Sequence, residues 1–179
     1  NDLMQRILLG SATVDERRGE MKDAKAKLEA LIKLDQRNAA AHEKLGKVLF
    51  ALGDQRKALE AFQAAAETDP KMMPAGLSMA YLVTDRGQAE KWVNYALSKS
   101  AGDVRTQVAA AGFLLRGNQV DEALSHAKKA LELEPNNAEA QTLAGLLSRL
   151  KADYPAAANY LSKAHLASPL SPVVLNNLA

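Results

Sequence analysis

Three histidines, His42, His126 and His165, and two adjacent carboxylate pairs, Asp15-Glu16 and Asp121-Glu122, are the residues best equipped for chemistry in this chain. Imidazoles serve as metal ligands or proton carriers, and paired carboxylates as a general acid and base. Both roles require convergence on one point, commonly from i, i+4 positions of a helix or from Cys/His clusters. These histidines are scattered along the sequence, and there is no Cys, so disulfides and thiolate metal sites are excluded. The carboxylate pairs read as helix-start residues that favour the dipole, or as solvated surface. Ser125-His126 lacks an acidic orienter and an oxyanion loop. The glycines fall at turns or close-packing positions and form no phosphate cradle, and the basic pairs Arg17-Arg18 and Lys128-Lys129 read as solvated surface. The sequence thus points to no catalytic residue, no metal ligand and no cofactor.

What must be positioned, then, is a surface. The chain has 179 residues, is 47% apolar and 25% charged, and carries a net charge of +2 with the two signs interspersed. That balance marks neither a disordered chain nor a nucleic-acid or anionic-membrane surface, and no apolar run reaches membrane-spanning length. Ala and Leu dominate over β-branched and aromatic residues, which favours helix. Absence of Cys is compatible with cytoplasm and periplasm alike. The first residue is Asn1 and the last, Ala179, falls within an apolar-periodic stretch, so a fragment of a longer protein is expected.

Organisation is dominated by a repeat. Ala24 and Ala58 are 34 positions apart, as are Ala123 and Ala157. Twelve residues after Ala58, Ala123 and Ala157 stand Pro70, Pro135 and Pro169, with Gln36 in that slot after Ala24. A fixed period of this size marks a solenoid of units that cannot bury their apolar faces alone. Each unit reads as two amphipathic helices. In the second, Ala41, Leu45, Leu49 and Leu52 form a helical stripe, Gly53-Asp54 breaks it, and Ala58, Leu59, Phe62, Ala65 and Ala66 form the next face before Asp69-Pro70. The expected units are about 5–38, 39–72, 73–103, 104–137 and 138–171, followed by a truncated first helix at 172–179 that opens on Pro172. The third is about three residues short. Its turn is expected at Arg86-Gly87-Gln88, its second helix at Ala89, and its helix pair to be shorter, with a local change of twist.

These residues resemble the tetratricopeptide repeat (TPR) family, whose pattern is a large residue, a Leu-Gly pair, a large apolar residue, Ala, an aromatic, Ala and Pro. Unit two supplies His42, Leu45-Gly46, Leu49, Ala58, Phe62, Ala65 and Pro70. Unit four supplies Gln107, Ala110-Ala111, Leu114, Ala123, Ala127, Ala130 and Pro135, and unit five Gln141, Ala144-Gly145, Ser148, Ala157, Leu161, Ala164 and Pro169. The closing Leu175-Asn176-Asn177-Leu178-Ala179 resembles first helices of long bacterial TPR arrays. The resemblance implies an all-α, right-handed solenoid of stacked antiparallel helix pairs. It also implies a non-catalytic scaffold whose first helices line a concave groove for a partner peptide or helix.

Mapped onto this chain, that groove carries Lys44, Lys47 and Phe50, then Leu77 and Tyr81, then Arg105, Val108, Gly112 and Leu115, then Leu146 and Arg149, and finally Asn176. It reads as apolar in the middle and basic at the edges, unless Leu77, Val108 and Leu146 pack between units instead. The full Lys/Asn/Arg set that clamps a C-terminal carboxylate is missing: Leu77, Ser78, Val108 and Ala109 stand there. A protein or peptide partner is therefore expected, with neither nucleic acid nor membrane insertion. The alternatives are a non-catalytic arm of a larger enzyme, such as a transferase, and a module that self-associates through the apolar terminal helix.

Overall fold

A computed structural model describes residues 2–167. Within them lie ten α-helices: α1 (Asp2–Arg18), α2 (Met21–Leu34), α3 (Ala39–Ala51), α4 (Gln55–Thr68), α5 (Ala75–Leu82), α6 (Arg86–Ser100), α7 (Val104–Arg116), α8 (Val120–Leu133), α9 (Ala138–Leu150) and α10 (Tyr154–Ala167). Pro169, Pro172, Asn176 and the expected helix at 172–179 lie outside the described residues. The chain forms two compact units, Asn1–Trp92 and Val93–Ala179. A shift of 99 positions carries α2, α3 and α4 of the first unit onto α8, α9 and α10 of the second, end residue for end residue. The 34-residue period read from the sequence is reproduced in the helix boundaries within each unit, where α2 repeats as α4, α7 as α9 and α8 as α10, and the shift of 99 is three such periods less three residues.

Four helix pairs, all but α5–α6, are closed by one overlapping turn. The left-handed residue that ends the first helix is Gly19 (φ 79°), Gly53 (φ 85°), Asn118 (φ 57°) or Ala152 (φ 59°). The residue after it sends its N–H back to the carbonyl five positions earlier: Glu20 to Asp15, Asp54 to Leu49, Gln119 to Leu114 and Asp153 to Ser148. This is the hydrogen-bond pattern of a glycine-type helix stop. The same residue then starts the next helix. Asp54 accepts from the Lys57 N–H at 3.1 Å and Asp153 from the Ala156 N–H at 3.1 Å, satisfying donors that have no partner inside the helix. That backbone bond, with Lys57 itself, holds the Asp54 carboxyl below its ordinary range. In the Gly117-Asn118 turn it is Asn118, not the glycine, that takes the left-handed conformation.

Three expectations are corrected here. Arg86-Gly87-Gln88 is not a turn. Asp85 accepts the Gln88 N–H at 2.8 Å and caps α6, so these residues form its first turn and Ala89 is its fourth residue. Only the first helix of that pair is short, with 8 residues in α5 against 15 in α6. Leu52 also leaves the stripe drawn through Ala41, Leu45 and Leu49: it is the C-cap of α3 and is exposed.

The core runs through successive helices. In the first unit Ala12, Ala24, Leu28, Leu31, Ala41 and Val48 join α1, α2 and α3, and Leu49, Ala58, Ala61, Phe62, Ala75 and Met79 join α3, α4 and α5. In the second, Ala111, Leu114, Ala123, Ala127, Ala144 and Leu147 join α7, α8 and α9. Large side chains such as Leu28, Leu31 and Phe62 are fully buried, each contributing about 1.5–3 kcal/mol. Small residues decide how close the helices come. A Cβ built on Gly46 would lie 2.7–2.8 Å from the Phe62 ring, and one on Gly145 2.6 Å from Leu161 Cγ and 3.3 Å from the Ala157 carbonyl oxygen.

Two sets of substitutions check this account through denaturant midpoints. Gly145→Ala has no room and is expected to destabilise by about 1–3 kcal/mol through overpacking. Gly112 is also helical, but its Cβ would meet nothing within 4 Å, so Gly112→Ala is expected to stabilise by about 0.5–1 kcal/mol. Ala152→Gly is expected to stabilise by about 1 kcal/mol, because an alanine there bears the left-handed strain that glycine avoids. Equal effects at Gly145 and Gly112, or a loss at Ala152→Gly, would contradict the packing described.

Candidate partner-binding surfaces

The first-helix residues singled out from the sequence divide between the units. In the first unit Lys44, Lys47 and Phe50 lie on α3, and Leu77 and Tyr81 on α5. Lys44 is half-buried and paired with Glu16 of α1 at 3.7 Å, and Lys47 is exposed and paired with Glu43 at 2.7 Å. Phe50 is half-buried beside the core of α3, α4 and α5, and Tyr81 is half-buried. Leu77 is 0% exposed and offers no surface to a partner. In the second unit Arg105, Val108, Gly112 and Leu115 lie on α7, and Leu146 and Arg149 on the adjacent α9. Arg105 and Arg149 are exposed, and Gly112, Leu115 and Leu146 half-buried. Val108 is 5% exposed and packs with Val104, Ala130 and Ala140. Packing, the alternative open for Leu77 and Val108, is where the structure places both. Asn176 lies outside the described residues.

Sequence reasoning missed a second pair of surfaces. A groove of about 440 Å³ opens between α2 and α4, with Ile32, Leu45 and Leu49 at its floor and Ala61 and Ala64 on one wall. A groove of the same volume opens between α8 and α10, lined by Lys128, Leu131, Glu132, Tyr160 and Lys163, with Pro135 and Gln141 at one end. The 99-position shift superposes them: Ile32 on Leu131, His42 on Gln141, Ala61 on Tyr160 and Ala64 on Lys163. Tyr160 and Lys163 therefore stand where the first groove has only two alanines. The signal available in the sequence was this difference between equivalent positions.

The large residue that opens the family pattern has a polar task. His42 Nε2 lies 3.0 Å from the Gln36 carbonyl oxygen, Gln107 Nε2 donates to Ala101 at 2.7 Å, and Gln141 Nε2 donates to Pro135 at 2.7 Å. Each reaches six residues back to the turn that precedes its helix. Gln107 Oε1 in turn accepts from His126 Nδ1 at 2.7 Å. Because that oxygen only accepts, Nδ1 carries the proton of the neutral ring. Burial, the main cause, together with the charge of Lys129, holds the His126 pKa below its ordinary 6.5, against an opposing pull from Glu122.

The carboxylates also find structural roles. Asp121 and Glu122 occupy the first turn of α8 as expected, and Asp121 pairs with Lys151. Asp15 departs from the expectation of a helix-start or solvated residue. It lies late in α1, 5% exposed, accepting from Lys27 of α2 at 2.5 Å, while Lys27 also reaches Ser11 at 2.7 Å. Among the described residues no three His, Cys, Asp or Glu side chains gather as a metal site would require, and no helix is long and apolar enough to cross a membrane.

A profile of the tetratricopeptide repeat family matches residues 9–72 and 114–172. The chain belongs to this family. Its helix pairs are those of an all-α TPR solenoid, and several solved TPR structures resemble it. YrrB, described as a TPR protein with an unusual peptide-binding site, is 21% identical, with a TM-score of 0.56 over 94% of this chain and 89% of that one. Yeast Tom70 is 22% identical, with a TM-score of 0.67 over 96% of this chain and 38% of that one. PilF of Pseudomonas aeruginosa is 16% identical, with a TM-score of 0.55 over 98% and 82%. At such identities the likeness speaks to fold alone. No curated protein sequence matches the TPR chain.

The His126 contact gives a pH prediction. With its folded pKa below 6.5, the unfolded chain binds more protons between that folded value and 6.5. This contribution to stability is complete above pH 6.5 and is lost as pH falls from there through the folded pKa. Thermal melts at about pH 7.5 and about pH 5.5 are expected to show a smaller drop in Tm for His126→Gln than for the parent. An equal drop would mean that the ring titrates alike in both states.

Proposed function

We propose that this TPR chain is a non-catalytic protein-interaction scaffold whose first helices present a partner-binding face. One observation carries the reading. On α3 and α5, and again on α7 and α9, partly exposed apolar side chains (Phe50, Tyr81, Leu115, Leu146) share the first helices with basic ones (Lys47, Arg105, Arg149). Beneath them Leu77 and Val108 are committed to packing, so the exposed layer is available without unfolding. Apolar burial would supply affinity and the basic residues would set register and direction. The peptide-binding site in the description of YrrB supports a peptide as the occupant, and the fold by itself does not decide it.

A second reading, self-association, has its own observation. Leu3, Ile7 and Val14 lie along α1 and are 44–70% exposed. One period later Ile7 and Val14 correspond to Ala41 and Val48, which are buried against the preceding helix pair. The face of α1 that a neighbouring helix would cover is therefore open, and sedimentation of Ile7→Glu beside the parent separates this reading from partner binding.

The scaffold reading is tested with peptides selected from a displayed random library against the purified chain. The double variant Lys47→Glu, Arg149→Glu changes two exposed charges and is expected to keep its Tm while weakening the selected peptides at least tenfold. Selected peptides that bind the double variant as tightly as the parent would place binding elsewhere.

A further inference from the structure

We propose that the groove between α8 and α10 is a second binding site, separate from the first-helix face, for an extended acidic peptide segment. In it a backbone N–H of the peptide donates to Gln141 Oε1 and its carboxylates pair with Lys128 and Lys163.

The argument begins with an uncompensated atom. Gln141 is 4% exposed, its Nε2 is used on the Pro135 carbonyl at 2.7 Å, and its Oε1 has no hydrogen-bond partner. The amide orientation is fixed, because turning it over would set two acceptors against each other at Pro135. A buried acceptor without a partner is costly and is uncommon in native folds. The preceding helix pair shows what is missing. There the equivalent Gln107 makes the same bond to Ala101, and its oxygen is satisfied by His126 at 2.7 Å. One period later the position of His126 is Tyr160, which forms no hydrogen bond to Gln141. The chain has thus kept the acceptor and removed its internal donor, in a residue that lines an open groove; the oxygen itself is covered, so peptide binding includes a turn of the Gln141 side chain toward that groove.

The walls state what the donor must be attached to. Lys128 on α8 and Lys163 on α10 are exposed cations on the two helices that form the groove, and neither is ion-paired with a described residue. Leu131, Pro135 and Tyr160 give an apolar surface between them. An extended peptide matches both features, since it offers backbone N–H groups and sends successive side chains to opposite sides. One row lies on Leu131 and Tyr160 while the other carries carboxylates to the lysines. A volume of about 440 Å³ is within the usual range for ligand sites. Glu132 is the one anion in the lining. A phosphodiester backbone would satisfy the lysines but has no donor for Gln141, which favours peptide over nucleic acid. The first-unit groove lacks the combination: His42, Ala61 and Ala64 stand in place of Gln141, Tyr160 and Lys163, and Glu29 in place of Lys128.

The probe is a fluorescein-labelled, acetylated peptide of alternating leucine and glutamate, with a leucine–lysine peptide as comparison, titrated into the full chain by anisotropy at low salt. The leucine–glutamate peptide is expected to bind at least tenfold more tightly than the lysine peptide and to shift the Gln141 side-chain amide resonances. Lys128→Glu with Lys163→Glu, two surface changes, is expected to reverse the preference. Gln141→His, which can keep the link to Pro135 as His42 does in the first unit, is expected to weaken the acidic peptide about tenfold. Absence of binding, an unreversed preference in the double variant, or full affinity in Gln141→His would each overturn the proposal, the last showing that water suffices for Gln141. Binding that is lost in Lys47→Glu, Arg149→Glu but kept in the α8–α10 variants would overturn it too, while leaving the first-helix reading standing.

Discussion

The contact on which the structure depends is the one between the glycine of α3 or α9 and the large residue of the helix paired with it. Gly46 meets the ring of Phe62, and Gly145 meets Leu161, at distances that leave no space for a single added carbon. Protein interiors pack at crystal-like density, so this contact sets the separation within a pair rather than merely filling it. Ala58 and Ala157, buried one turn before those large residues, keep the same helices close. The next pair then docks on a surface whose relief is already determined, which is how Ala41 and Val48 come to be buried against α1 and α2.

Closeness within a pair would be unavailable if the turn were longer, and the turn is as short as a helix stop and a helix start can be made. One residue, Asp54 or Asp153, donates its N–H to the first helix and caps the second. The left-handed residue before it is the only part of the device that resists most side chains. Gly19 and Gly53 fill that position without strain, Asn118 is the tolerated polar substitute, and Ala152 is held there by what surrounds it. A turn so constrained explains why the helix boundaries of the two units agree to the residue.

This distribution of constraint explains what could be read from the sequence. The period, the alanines, the packing glycines and the stops before proline were legible because each needs a particular residue type for a steric reason. The turn at Ala152-Asp153 follows from the period, although alanine by itself carries no sign of a left-handed conformation. The start of α6 was misjudged because Arg86-Gly87-Gln88 has the composition of a turn, whereas the deciding atom is the carboxylate of Asp85 just before it. The exposed layer of the first helices was harder. Leu77 and Val108 are apolar residues on first helices, as are Phe50 and Leu115, and only the packing of neighbouring helices separates those that are covered from those that are not.

The polar residue at the start of α3, α7 and α9 shows how such a solenoid acquires individuality without disturbing its frame. His42, Gln107 and Gln141 all bind the carbonyl of the turn six residues earlier, so the link to the preceding pair is preserved whichever side chain supplies it. The second polar atom is then free to differ. In α7 it is closed off by His126, which makes that contact sensitive to protonation. In α9 it is buried without a partner, beside a groove with cations on both walls. Positions that hold the stack together thus tolerate little change, whereas their outward-facing halves can be altered one at a time. In this chain the residues most able to distinguish one helix pair from the next sit where packing ends and the grooves begin.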